Sequence, residues 1–153
     1  MQVWRLSQLP HAQTAFSGEG ARLFAGRWNP AGVPIVYTST SLALAAVELF
    51  VNLRSLRDPG DLVASSAVLP DSIEIESIPS HKLPSDWTSI EPSATREFGA
   101  NWMSSSRSVA LRVPSVPIRG DWNLLINPNH PDFPRIKQLP ATPWHFDGRM
   151  FRP

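Results

Sequence analysis

The sequence predicts an α+β fold in a single domain that covers residues 1–153. A chain of this length with 42% hydrophobic residues can bury one core without disulfides or structural metals. Sixteen prolines are spread along the chain, and because proline disfavours helix interiors they argue against a helical bundle. Several segments typical of strands are mixed with two segments typical of helices, which indicates α+β.

The N-terminal region begins with one short strand and continues in loops. Residues 3–6 form a short run that favours an N-terminal strand. Residues 10–20 are polar and small, which is typical of a loop. Residues 26–32 are rich in glycine, asparagine and proline, so we expect a series of turns there.

A strand followed by a helix comes next. Residues 33–38 alternate between apolar side chains on one face and the remaining side chains on the other, as a strand requires. Residues 42–53 are rich in leucine and alanine and predict a helix, with Ser39 and Ser41 as candidate N-caps. This helix is apolar on nearly every side, so we expect it to be buried.

The second half of the chain predicts four strands and one helix. The strands are expected at residues 62–69, 73–75, 108–113 and 122–126. Residues 79–87 form a proline-punctuated connection. Residues 92–103 predict a helix with proline in its first turn, and the tail at 144–151 is a candidate to close the sheet.

Charge and composition exclude several function classes. Fourteen basic and thirteen acidic residues give a net charge of +1, which offers no electrostatic basis for sequence-independent nucleic-acid binding. The absence of cysteine excludes disulfides, thiolate zinc sites and cysteine nucleophiles. The four histidines lack metal-ligand spacing, so no metal site is expected. We also expect no signal peptide and no membrane span, and therefore a cytoplasmic protein.

Three side chains stand out as candidates for chemistry. Glu48 is the one ionisable residue in the apolar helix, so it either reaches water from the helix margin or faces a cleft. Arg27 lies in the glycine-rich turn before a strand, where it is either solvated or directed into a cleft. Tyr37 is the single tyrosine and ends the apolar strand face. None of the three is specific alone.

The order of several short motifs is more informative. The motifs are GRWN at 26–29, IVYTS at 35–39, AAVE at 45–48, VPS at 113–115, NLLINPNHP at 123–131 and FDGR at 146–149. This series resembles the RES domain family, which is named for its arginine, glutamate and serine. Those residues correspond here to Arg27, Glu48 and Ser115. The family pattern places the closing aspartate and arginine nearer to each other than Asp147 and Arg149, which leaves the role of Arg149 open.

The resemblance implies a fold, an activity and a partner. RES proteins are toxins of bacterial type II toxin–antitoxin pairs, with an ADP-ribosyltransferase-like fold: a split, bent β-sheet core with flanking helices. Members cleave NAD+ at the nicotinamide–ribose bond and deplete the cell of it, so NAD+ is expected as the substrate and no cofactor is implied. The implied partner is an Xre-like helix-turn-helix antitoxin, with a homodimer possible within the complex. The alternatives are a mono-ADP-ribosyltransferase that modifies a protein and a non-catalytic nucleotide-binding or interaction module.

The resemblance also implies residue roles. Glu48 would stabilise the oxocarbenium-like transition state, and the planar fork of Arg27 suits the pyrophosphate. Tyr37 would stack on the nicotinamide ring. Ser115 would donate to ribose or phosphate, unless its hydroxyl only caps its turn. Arg5 would make a second phosphate contact.

Overall fold

One sheet runs through the molecule and positions the candidate site. The computed structural model describes residues 1–53 and 57–151. The strands are β1 (Gln2–Gln8), β2 (Val36–Ser39), β3 (Leu62–Val68), β4 (Ile75–Ser77), β5 (Ala110–Pro114), β6 (Trp122–Ile126), β7 (Lys137–Gln138) and β8 (Thr142–Trp144). Their order is β4-β5-β6-β2-β1-β3-β7, and β8 also pairs with β3. Neighbouring strands are antiparallel except β4 and β5.

Helices connect and flank the strands. The α-helices are α1 (Glu19–Leu23), α2 (Leu42–Val51) and α3 (Ser93–Ser105). Short 3₁₀ helices lie at Leu9–Thr14, Ser80–Lys82, Phe133–Arg135 and Gly148–Phe151. None of the helices in the described part of the chain has the length and hydropathy that a membrane span requires.

The sheet opens between β1 and β2. Strands β1 and β3 are in register over seven residue pairs, whereas a single pair, Trp4 with Ser39, joins β1 to β2 in the described residues. Strand β2 continues on its other side into β6 over four pairs. The predicted α+β fold with a split, bent sheet is therefore confirmed.

The core consists of separate apolar clusters on the sheet. The largest cluster includes Val3, Phe16, Val36, Leu69, Leu124 and Ile126. A second cluster packs α3 against the sheet and includes Trp28, Ile35, Trp102, Leu111 and Leu125. A small third cluster (Leu6, Ala45 and Ala64) anchors α2. Burial of these side chains supplies the main driving force for folding.

Most predicted elements are confirmed, with shifted ends. The strands at 62–69 and 122–126 and the helix at 92–103 are present. The strand predicted at 33–38 begins at Val36, because Pro34 has no N–H to donate to the sheet. The strand predicted at 73–75 lies at Ile75–Ser77 instead.

Three predictions were wrong in part. The loop predicted at 10–20 contains most of a 3₁₀ helix and the start of α1. Helix α2 is not buried on all sides: Leu44 and Ala45 are buried, but Val51 is 54% exposed. The physical reason is that α2 packs on the sheet through one side, while part of its remaining surface borders clefts and Phe50 packs on Phe146 and Phe151. Only the start of the predicted closing segment, at Trp144, joins the sheet.

Candidate active site

Helix α2 carries Glu48 to the site. The helix begins where Ser41, in an extended conformation, accepts a hydrogen bond at its side-chain oxygen from the N–H of Leu44. Nearly two turns later comes Glu48. Its side chain projects away from the apolar side of the helix and lines two neighbouring clefts. Of the two readings of Glu48 that the sequence left open, the structure supports the one in which it faces a cleft.

Two polar side chains hold the Glu48 carboxylate. The Ser115 hydroxyl donates to Oε1 at 2.8 Å, and Nδ2 of Asn123 donates to the same oxygen at 2.5 Å. Bonds between a neutral donor and a carboxylate are stronger than neutral pairs. Neither bond uses Oε2, which has no hydrogen-bond donor from residues 1–53 or 57–151.

The two clefts meet at Glu48. The smaller has a volume of about 340 Å³ and opens where β1 and β2 separate, since both strands line it. The larger has a volume of about 790 Å³ and lies between the loop that carries Arg27 and the β5–β6 connection. The residues common to both are Gly26, Tyr37, Glu48, Asn52 and Asn123. A ligand that spans both clefts would therefore pass the carboxylate.

Arg27 lines the larger cleft and also holds a loop in place. Its Nη1 donates to the carbonyl oxygens of Trp87 and Ser89, both at 2.7 Å. Those two bonds engage one end of the guanidinium. The edge formed by Nε and Nη2 meets no acceptor among the described residues, and this edge has the two-pronged geometry that phosphate oxygens accept.

Tyr37 lies beneath the loop that carries Arg27. Its hydroxyl accepts a hydrogen bond from the N–H of Trp28 at 2.9 Å and donates to Oδ1 of Asn29 at 2.7 Å. Burial raises the pKa of the Tyr37 phenol well above its ordinary value, although the bond from Trp28 and neighbouring arginines oppose that shift. Tyr37 is therefore a neutral donor that fixes the loop, and its side chain lines both clefts.

Asn29 organises the same loop, and sequence reasoning missed it. The two hydrogens of its fully buried Nδ2 serve the carbonyl oxygens of Ala21 and Pro30 at 2.8 and 2.9 Å, and that of Phe24 lies further away at 3.2 Å. Its Oδ1 accepts from the N–H of Gly26 as well as from the tyrosine. A Cβ at Gly26 would lie 2.6 Å from the tyrosine hydroxyl oxygen, so this tight turn requires glycine.

Helix α3 supports the loop from below. The Thr95 hydroxyl donates to the carbonyl oxygen of Arg27 at 2.6 Å, and Nε of Arg96 donates to that of Gly26 at 2.9 Å. The backbone of Trp28 lies so close to Gly99 that a Cβ there would overlap its carbonyl oxygen. Arg96 also lines the larger cleft, which the sequence did not indicate.

Arg5 brings a cation to the smaller cleft. It projects from β1, and its Nη1 donates to the carbonyl oxygen of Tyr37 at 3.2 Å. Its buried Nε has no partner among the residues that the structure describes. Burial lowers the pKa of the Arg5 guanidinium from its ordinary value, and Tyr37 partly opposes that effect.

Ser115 lies outside both clefts. Its side chain is 1% exposed, and besides donating to Glu48 its oxygen accepts from the N–H of Ile118 at 3.2 Å. The hydroxyl therefore caps its own turn and holds the carboxylate at once.

The described residues contain no group of three or more metal-ligating side chains.

The sequence of this chain matches a known protein family and several known proteins. The model of the RES domain family matches residues 2–147. The chain belongs to the RES domain family. This RES domain is 38% identical, over 97% of its length and 96% of the relative's, to a Sphingobium sp. protein named "Prs ADP-ribosylating toxin". It is 33% identical, over 99% of its length and 98% of the relative's, to "Toxin Res" of Photorhabdus laumondii.

A solved structure has the same fold. The RES domain matches a chain from the crystal structure of the M. tuberculosis MbcT-MbcA toxin–antitoxin complex with a TM-score of 0.71. The match covers 98% of this chain and 86% of the other at 16% identity, so it concerns the fold alone. The family resemblance and the ADP-ribosyltransferase-like fold that it implied are confirmed, and the chain is a homologue of RES toxins.

Proposed function

We propose that this chain is the toxin of a toxin–antitoxin pair and cleaves NAD+ at the nicotinamide–ribose bond. The observation that carries the proposal is the Glu48 carboxylate, fixed through Oε1 at the junction of two clefts. The curated relatives are named as toxins, and this supports the role of a toxin.

A single carboxylate suits this reaction. As the bond from C1′ of the ribose to the nicotinamide nitrogen breaks, its electron pair neutralises the pyridinium, so the leaving group needs no acid. Ordinary glycosidases use two carboxylates, because their leaving group needs a proton from an acid. The positive charge moves to the ribose, where the negative charge of Glu48 stabilises it. Water then bonds to C1′ and loses a proton, which gives ADP-ribose, nicotinamide and H⁺.

The remaining site residues fit NAD+ on either side of that carboxylate. We assign the pyrophosphate to the Nε–Nη2 edge of Arg27 in the larger cleft, with Arg96 as a neighbouring cation. Tyr37 offers an aromatic surface for the nicotinamide. Arg5 is the candidate for a second phosphate contact in the smaller cleft. Ser115 acts through Glu48 rather than on the ligand.

One observation favours a second candidate function. The Sphingobium relative that is 38% identical is named an ADP-ribosylating toxin, so a protein side chain could replace water as the acceptor at C1′. The site geometry is compatible with either acceptor, because Glu48 stabilises the same cationic ribose in both reactions. A non-catalytic nucleotide-binding or interaction module would not need a carboxylate held by two donors at a cleft junction.

The products formed from NAD+ test the proposal. The purified chain is incubated with NAD+ labelled in its adenosine half, with and without a cell extract as acceptor. Free labelled ADP-ribose with equimolar nicotinamide is expected from hydrolysis, and label on protein would favour transfer. A parallel reaction with inorganic phosphate shows whether phosphate replaces water. Unchanged NAD+ in every reaction would contradict both enzymatic functions.

A further inference from the structure

We propose that Asn123 is a positioning residue for Glu48 and that Ser39 fixes the orientation of the Asn123 amide. This inference rests on the proposed function, because it assigns Asn123 a part in the reaction at Glu48. Asn123 lies on β6 and lines both clefts beside the carboxylate.

The hydrogen bonds define how the amide is oriented. Nδ2 of Asn123 donates to Oε1 of Glu48 at 2.5 Å, and Oδ1 accepts from the Ser39 hydroxyl at 2.7 Å. In the opposite orientation the amide oxygen would face the carboxylate oxygen, and two acceptors repel each other. The Ser39 hydroxyl therefore completes a chain of donors that ends on the carboxylate.

The sheet places these groups with little freedom. Asn123 is in register with Ser39 on β2 and with Val113 on β5, so strands on both sides hold its backbone. Ser115 follows β5 closely and reaches the same carboxylate oxygen. Ser39 is 4% exposed and so has few alternative partners. One donor on β6 and one directly after β5 thus bind the Glu48 carboxylate on α2.

Two donors on Oε1 fix the plane of the carboxylate and direct Oε2 away from them. Without Asn123, Glu48 keeps its charge but can turn about its side-chain bonds. A group that is misplaced by about 1 Å can lose on the order of 100-fold in rate. NAD+ binding depends mainly on other residues, so the loss belongs to the chemical step.

The primary test separates kcat from KM. Asn123→Ala should lower kcat for nicotinamide release by on the order of 100-fold, with KM changed by less than about 3-fold. Thr40→Ala is the matched control, because Thr40 also lies beside β6 and its hydroxyl donates, among the residues that the structure describes, only to the Trp122 carbonyl. It should keep wild-type kinetics. If both variants lose activity only in proportion to their stability, the positioning role is wrong.

Ser39 provides a rescue test. Ser39→Thr keeps the hydroxyl, and Ser39→Val introduces a side chain with the shape of threonine but without the hydroxyl. The threonine variant should therefore be several-fold faster than the valine variant. Ser39→Val should cost little further in the Asn123→Ala background, since the two residues act in one chain. Equal rates for the threonine and valine variants would overturn the role of Ser39.

A spectroscopic measurement keeps this inference separate from the proposed function. The side-chain NH₂ signals of Asn123 should be widely split in an NMR spectrum, and should shift in Glu48→Gln and Ser39→Val but not in Thr40→Ala. These shifts are expected even if NAD+ is not the substrate. Failure of wild-type NAD+ cleavage would thus overturn the proposed function, whereas unmoved NH₂ signals would overturn the contact itself.

Discussion

At the scale of single residues, Arg27 has both a structural and a binding task. Its Nη1 holds the backbone of the loop at Trp87 and Ser89, while its side chain also lines the larger cleft. An arginine that only faced solvent from a turn would contact neither the loop backbone nor the cleft. Loss of the guanidinium is therefore expected to disturb the cleft wall as well as any anion bound there.

Arg27→Lys tests this division. Lysine keeps the charge but cannot donate to two carbonyls and present a planar edge at the same time. We expect NAD+ cleavage to fall by on the order of 100-fold. The free energy of unfolding should fall by no more than about 3 kcal/mol, the range for hydrogen bonds from a charged group. Enzyme assays and urea unfolding on one sample measure both effects.

Arg107→Lys is a suitable control for that substitution. Arg107 is exposed and pairs with Glu76 on the surface, so its replacement should leave both activity and stability near wild type. Wild-type cleavage in Arg27→Lys would show that the family arginine is purely structural here. The phosphate contact would then have to be reassigned, with Arg5 as the first candidate.

The sequence predicted some of the site residues and not others. Glu48 could be predicted because a lone carboxylate in an apolar helix needs a reason to be there. Asn29 and Asn123 could not, because asparagine is common in turns and each has several ordinary roles. The contact between Asn123 and Glu48 joins residues 75 positions apart, so it exists only once β6 and α2 have packed.

At the scale of elements, α3 acts as the platform for the Arg27 loop. Thr95 and Arg96 hold the loop carbonyls, and Gly99 permits the backbone of Trp28 to lie directly on the helix. The indole of Trp28 packs edge-to-face on Phe98, with centroids 6.3 Å apart. The position of Arg27 thus depends on a close helix–loop contact.

Gly99→Ala tests that contact. The added methyl group would overlap the Trp28 carbonyl, so helix or loop must move, and such overpacking costs about 1–3 kcal/mol or more. We expect a lower melting temperature and weaker NAD+ cleavage together. Asn101→Ala, on the exposed side of the same helix, should change stability by no more than about 0.5 kcal/mol. A fully active, fully stable Gly99→Ala variant would contradict the platform role.

Element prediction succeeded where a periodic pattern was long enough. The regions of β3, β6, α2 and α3 could all be located because their apolar patterns extend over several residues. Strand β7 has two residues and therefore no period to detect. The exposed side of α2 was missed because leucine and alanine content does not show how much surface a helix shares with a sheet.

At the scale of the whole molecule, exposed apolar side chains border the cleft mouths. Phe24 lines the smaller cleft and is 70% exposed, while Ile90 and Val51 line the larger and are 92% and 54% exposed. Exposed apolar side chains beside a cleft are typical of a surface that another protein covers. This supports an antitoxin that binds over the clefts.

Co-expression tests this partner. The family resemblance implies an Xre-like helix-turn-helix antitoxin, and we expect its co-expression to restore both growth and cellular NAD+, because a protein over the cleft mouths excludes the substrate. Expression of the toxin alone should arrest growth and deplete NAD+. Growth that recovers while NAD+ stays depleted would contradict inhibition of this activity.

The central claim is that the charge of Glu48 acts in the transition state, and Glu48→Gln tests it most directly. Glutamine keeps an oxygen that can accept from Ser115 and Asn123, so the site should remain intact without the charge. Glu97→Gln, an exposed position on α3, removes the same charge elsewhere and serves as the control.

The decisive measurement is single-turnover nicotinamide release from NAD+, with NAD+ affinity determined on the same samples. Glu48→Gln is predicted to release nicotinamide on the order of 10²–10³-fold more slowly while its Kd for NAD+ changes by only a few-fold. Glu97→Gln is predicted to match wild type in both. Wild-type release by Glu48→Gln would remove the carboxylate from the mechanism and contradict the account.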